Sequence, residues 1–149
     1  MPDASEQLHQ IARALRAGGN GGAMKFVSRA IRAAAKPLAD DVKKAAADQL
    51  PQRGGLARRV AKERVTVSVR TGARTAGVRL LQRNHDAKAT NAGYVRHPTF
   101  GHRPWKTQDI PRARGWWSDT LRARSDEVTP DVERAMEEAA REIERGYLT

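Results

Sequence analysis

Tyr94-Val95-Arg96-His97-Pro98-Thr99-Phe100-Gly101-His102-Arg103-Pro104-Trp105-Lys106-Thr107-Gln108, continued after a spacer by Pro111 and Gly115-Trp116-Trp117, is the stretch on which the reading of this chain turns. Residues 93–117 hold all three tryptophans, one of the two tyrosines, one of the two phenylalanines and three of the seven prolines. The stiff apolar mass of the protein is therefore concentrated in one place. Tyr94 and Val95 read as a short strand, since a proline pushes the residue before it into extended geometry and aromatic and β-branched side chains suit a pleated surface. Residues 99–117 sustain no alternation of apolar and polar side chains and read as a long aromatic loop, with turns at Gly101 and Gly115. A loop this apolar has to pack, against its own domain or against another subunit.

Upstream, Leu8, Ile11 and Leu15 form one stripe, so Ser5 to Ala17 is expected to be a helix, with Asp3 or Ser5 able to cap it. Gly18-Gly19-Asn20-Gly21-Gly22 then makes a joint that closes residues 1–22. Over residues 23–50, Val27, Ile31, Ala34, Leu38, Val42, Ala45 and Ala46 recur at helical spacing. Lys25, Arg29, Arg32, Lys36, Lys43 and Lys44 occupy the other side. Pro37 is expected to kink or break this helix, because it lacks a donor and crowds the preceding turn. Such a basic face is most often simply solvated, and Asp40 and Asp41 speak against a membrane surface.

Residues 56–98 are expected to supply a small antiparallel sheet. Leu56 to Ala61 suits one helical turn. Val65, Val67 and Val69 alternate with Thr66, Ser68 and Arg70 as a half-buried strand. Thr71-Gly72-Ala73-Arg74 turns the chain, Ala76 to Leu81 returns it with Gly77 as a candidate bulge, and the Tyr94 strand is expected to join as a third. Arg58, Arg59, Arg64, Arg70, Arg74, Arg79 and Arg83 gather here, a set suited to phosphates or to an acidic neighbour if several share a face. Residues 83–91 are polar and unpatterned and read as a loop. Beyond the aromatic segment, residues 118–149 form a C-terminal helical segment. Trp116 to Arg124 has helical character, and Thr129-Pro130-Asp131 looks like a new helix start. Val132, Met136, Ala139, Ile143 and Tyr147 make the apolar stripe that follows, suited to the core or to a neighbouring subunit.

With 149 residues the chain is expected to be a single domain, and its hydrophobic content of 39%, much of it alanine, gives a modest core with room for partner contacts. There is no cysteine, which removes disulfides and thiolate chemistry. The first residues lack a signal pattern and no apolar run approaches the roughly 18 residues of a membrane span, so a non-membrane protein is expected. The net charge of +11 is uneven: residues 126–149 hold eight acids and three arginines, a balance of −5, leaving +16 on residues 1–125. A basic body with an acidic tail can complement its own copies as readily as a nucleic acid.

Chemistry-bearing patterns are sparse. His97 and His102 stand near Asp109, but structural zinc wants four well-spaced ligands, so no metal is expected. No catalytic residues are assigned, because neither Asp86 nor Asp109 has a spacing that pairs it with His97, and no nucleophile elbow, phosphate loop or His-Glu-x-x-His occurs. No cofactor is expected. On the residues alone, Trp105, Trp116 and Trp117 suit base stacking and protein contacts about equally.

The order Arg96-His97-Pro98-Thr99-Phe100-Gly101, then Trp105, Gln108 and a Pro/Gly-Trp-Trp close, resembles the neck or tail-component proteins of long-tailed, non-contractile bacteriophages. In that family's pattern the proline abuts the glycine, whereas here Arg112-Ala113-Arg114 separates Pro111 from Gly115. The resemblance implies a structural virion protein, not an enzyme, made in the host cytoplasm and located at the head–tail junction. It would form a homo-oligomeric ring that meets other head–tail connector, portal-side or tail-tube proteins, with non-specific contact to packaged DNA. The interface residues it implies are Tyr94, Arg96, His97, Pro98, Phe100, Gly101, Trp105, Gln108, Trp116 and Trp117. The competing expectation is a small basic DNA-binding module whose arginine-rich hairpin offers Arg58, Arg59, Arg64, Arg70, Arg74 and Arg79. Either way the expected fold class is α+β: amphipathic N-terminal helices, a small antiparallel sheet, a long aromatic loop and a C-terminal helix.

Overall fold

The computed structural model describes residues 4–17, 21–71, 76–83, 86–99 and 102–145. Phe100, Gly101, Arg74, His85 and Tyr147 lie outside the described residues, as do the turn at 72–75 and residues 18–20 of the glycine joint. In chain order come helices α1 (Ala4–Ala17), α2 (Gly21–Gln49) and α3 (Leu56–Lys62), strands β1 (Val65–Thr71) and β2 (Ala76–Gln82), helix α4 (Ala87–Ala92), strands β3 (Tyr94–Thr99) and β4 (His102–Asp109), and helix α5 (Trp116–Glu144). The fold class is α+β. The strands form two separate two-stranded sheets, β1 with β2 and β3 with β4.

Contacts divide the chain into two compact units. One is drawn from Met1–Pro37, Val67–Leu81 and Ser125–Thr149, the other from Leu38–Thr66 and Gln82–Arg124. In the first, Leu8, Val27, Ile31, Met136 and Ala139 are buried together, with Val69, Val78, Val132 and Ile143 packed against them. Burying each of the larger aliphatic side chains is worth about 1.5–3 kcal/mol. The apolar stripe of the C-terminal helix is thus core within its own unit. In the second unit Val42, Leu50, Val60, Ile110, Ala113 and Trp116 are buried. There the Gln82 amide donates to the Val60 carbonyl at 3.0 Å, and Arg124 pairs with Asp41 at 2.9 Å.

Several expectations need correction. Helix α2 runs unbroken through Pro37. Pro37 is exposed and so is Ala33, whose carbonyl loses its donor, so solvent can satisfy the orphaned group. The buried row of α2 is Ala23, Val27, Ile31, Ala35, Ala39, Val42, Ala45 and Ala46, which leaves Ala34 and Leu38 at its margin. The C-terminal segment is likewise one helix, α5, with Pro130 inside it. Asp126, four residues back, is exposed, and the Thr129 hydroxyl donates to the Ser125 carbonyl at 2.7 Å. Thr129-Pro130 is therefore a tolerated interruption and not a start.

The sheet differs most. The Tyr94 strand does not join the β1–β2 ribbon; it pairs antiparallel with β4, Tyr94 opposite Asp109 through Pro98 opposite Trp105, with an irregularity at Pro98/Thr99. The segment read as an aromatic loop is therefore a strand, a short 3-10 turn at Pro111–Ala113 and the start of α5. No alternation marked β4 because every side chain from Trp105 to Asp109 is exposed, so neither face called for an apolar row. Within residues 83–91, read as loop, the chain enters α4 (Ala87–Ala92), set between the capping Asp86 and Gly93 in the left-handed region at φ 93°.

Candidate interaction surface

The β3–β4 hairpin is fixed at its base by α4. Asp86 opens that helix, its carboxylate accepting from the Ala89 amide at 3.0 Å. Gly93 closes it and accepts at its carbonyl from the Ile110 amide at 2.7 Å, which clamps the far end of β4. Asn91 then caps α5 from outside: its side-chain oxygen accepts from the Trp117 amide at 2.9 Å and the Ser118 amide at 3.0 Å, while its carbonyl accepts from Gly115 at 2.8 Å. These are donors that a helix N-terminus leaves without partners. Trp116 is fully buried and donates from its indole nitrogen to the Thr90 hydroxyl at 3.1 Å. Trp117 packs edge-on against it, ring centroids 5.5 Å apart.

Trp116 therefore leaves the set of interface candidates, because its ring and its donor are both spent inside its own unit. Trp105 behaves oppositely. It is 51% exposed, the one exposed large hydrophobic side chain among the described residues. Lys106 to Asp109 are exposed as well, and Tyr94, Val95 and His97 on β3 are only half-buried. Among the described residues no side chain of either strand is fully buried, and the outer edge of β4 has no strand partner. A two-stranded hairpin with so little buried is marginal in water, and its free edge invites another chain.

Beside Trp105 lies a groove of about 480 Å³ lined by Arg59, Asp86, Ala89, Thr90, Val95, Arg96 and Trp105. Of the residues implied by the family resemblance, it brings together Arg96 and Trp105 and adds Arg59 from α3. Gln108 lines a different hollow, of about 550 Å³, walled by residues 48–53 and 108–113. Tyr94 and His97 sit on β3 outside both linings, and Pro98 faces Trp105 in the strand register. Trp117 is half-buried. Of the arginines, Arg58, Arg59 and Arg64 belong to one unit and Arg70 and Arg79 to the other, and all five are exposed. Among the described residues no group of three His, Asp or Glu side chains is placed to hold a metal ion, and no helix is long and apolar enough to cross a membrane.

Thr90 and Asn91 organise this region and the sequence reading passed over them. The available signal was the bracket of Asp86 and Gly93, a cap residue and a left-handed terminator one short helix apart. Gly93→Ala is expected to cost about 1–2 kcal/mol. The left-handed backbone strains alanine, and its Cβ would meet the Arg114 side chain. Urea unfolding would read the loss.

Glu63, at the end of α3, is pushed above the ordinary carboxylate range by burial, against the opposing pull of Arg59. One of its oxygens and the Gln82 carbonyl oxygen are buried without a hydrogen-bond partner. A raised folded pKa means stability that is present below the unfolded value and lost as pH rises through the folded one. Glu63→Gln is therefore expected to be more stable than wild type at neutral pH, by less than about 1 kcal/mol, with the advantage shrinking toward acid. Paired unfolding curves across that pH range would check it.

Compared with protein-family models, curated proteins and solved structures, the chain matches none.

Proposed function

We propose that this chain is a structural virion protein of the neck of a long-tailed, non-contractile phage, joining the capsid's portal region to the tail as a subunit of a homo-oligomeric ring. The observation that carries this reading is Trp105, half-exposed on a hairpin whose β4 edge has no strand partner among the described residues. A large, stiff side chain on such an arm gains most when another molecule covers it, and tryptophan and arginine are the types that dominate protein contacts. The resemblance of Arg96-His97-Pro98-Thr99-Phe100-Gly101, Trp105 and Gln108 to the neck family supplies the setting: a head–tail junction, with portal-side and tail-tube proteins as further neighbours. The work is assembly, which calls on no catalytic residue and no cofactor.

Mass measurement of the isolated protein, alone and mixed with extracted tails, tests the reading. Closed oligomers or incorporation into tails support it, and a chain that remains monomeric in both conditions contradicts it. The second reading, a DNA-binding module, draws on exposed Arg70 and Arg79 on the β1–β2 ribbon. It requires affinity for random-sequence DNA that falls steeply with salt.

A further inference from the structure

We infer that the groove between Arg59, Arg96 and Trp105 receives the acidic strip of α5 from a second copy of this chain. This rests on the ring reading above and names the two surfaces that would meet.

The groove's own charge argues for an acidic occupant. Arg96 has no ion-pair partner among the described residues, and Arg59 stands near enough to Glu63 to oppose the burial that raises its pKa but forms no salt bridge with it. The unit that carries the groove is strongly basic: residues 38–66 and 82–124 hold sixteen Lys and Arg against seven Asp and Glu. The apolar rim of Trp105, Val95 and Ala89 suits the aliphatic stems of a helix and would shield ion pairs from water, where each is worth more. A nucleic acid is the poorer fit, because Trp105 is a single platform with no second exposed tryptophan to continue a stack.

The chain itself carries the complementary surface. Asp126, Glu133, Glu137 and Glu144 are spaced by seven, four and seven residues, which sets them along one strip of α5. Asp126, Glu137 and Glu144 are exposed and Glu133 is half-buried. Glu137 pairs with Arg141 of the same helix, at 3.6 Å and well exposed, a contact a docking partner can outcompete. Groove and strip are different surfaces, so their pairing between copies is head to tail, the kind of contact that closes a ring when its rotation divides a full turn.

The test is charge reversal with complementation in the full-length protein, read as oligomer mass at low and high salt. Arg59→Glu with Arg96→Glu, and separately Glu133→Arg with Glu137→Arg, should each weaken self-association at least about tenfold. Mixing the two variants should restore mixed oligomers, because the glutamate-bearing groove of one then meets the arginine-bearing strip of the other, while the arginine groove of the second meets the native acidic strip of the first. Both sites lie on the surface, and circular dichroism of each variant checks that it is folded. Wild-type rings with variants that assemble equally well would overturn this inference and leave the ring reading standing, as would variants that fail and are not rescued by mixing. Arginine variants that lose only affinity for DNA would overturn it in favour of a nucleic-acid groove. A wild-type chain that never associates would instead remove the ring reading on which it rests.

Discussion

Trp116→Ala is expected to lower the unfolding free energy by about 3–5 kcal/mol, read as a shift of the urea midpoint at unchanged slope. The substitution empties the largest fully buried side chain of its unit. It also leaves the Thr90 hydroxyl without the indole donor that reaches it at 3.1 Å. Domains of this size hold a margin of only about 5–15 kcal/mol, so much of the variant would be unfolded in the cell and would fail to assemble for that reason alone. Its loss of function would say nothing about interfaces. Trp116→Phe, which keeps most of the ring but not the donor, should recover more than half of the lost stability.

Trp105→Ala should do the reverse. Removing a half-exposed side chain from β4 should change the unfolding free energy by no more than about 1 kcal/mol. If the ring is built as proposed, association should weaken by at least about 2 kcal/mol, roughly thirtyfold, seen as oligomers that dissociate at higher concentration than wild type. Lys25→Ala and Lys44→Ala, both exposed on α2, serve as controls and should assemble normally. Equal assembly by Trp105→Ala and the lysine controls would defeat the assignment of this hairpin as a joint.

The contrast between these tryptophans marks how far the sequence could be read. The helices were legible because their cores repeat at helical spacing: Val27, Ile31 and Val42 on α2 and Val132, Met136 and Ala139 on α5 lie where periodicity put them. Strand β3 was legible at Tyr94 and Val95, but its partner β4 was not, since period two appears only when one face is buried and every side chain from Trp105 to Asp109 is exposed. Helix α4 was hidden by its length, too short for any apolar row to repeat. Pro37 and Pro130 misled for a shared reason. Each falls where the carbonyl that loses its donor sits on an exposed turn, a fact of tertiary placement. Nor could spacing separate Trp105 from Trp116, since burial of the latter depends on Thr90 and Asn91 arriving from α4. Of the candidate surface, Arg96 and Trp105 were visible in the motif, whereas Arg59 joins them only through the fold.

Residue-level oxidative footprinting of Trp105, in dissociated subunits and in the assembled particle, puts the central claim to its most direct trial. The account predicts strong labelling of Trp105 in the free subunit and strong protection after assembly, with Trp116 protected in both. Trp105 labelled to the same extent before and after assembly would contradict it.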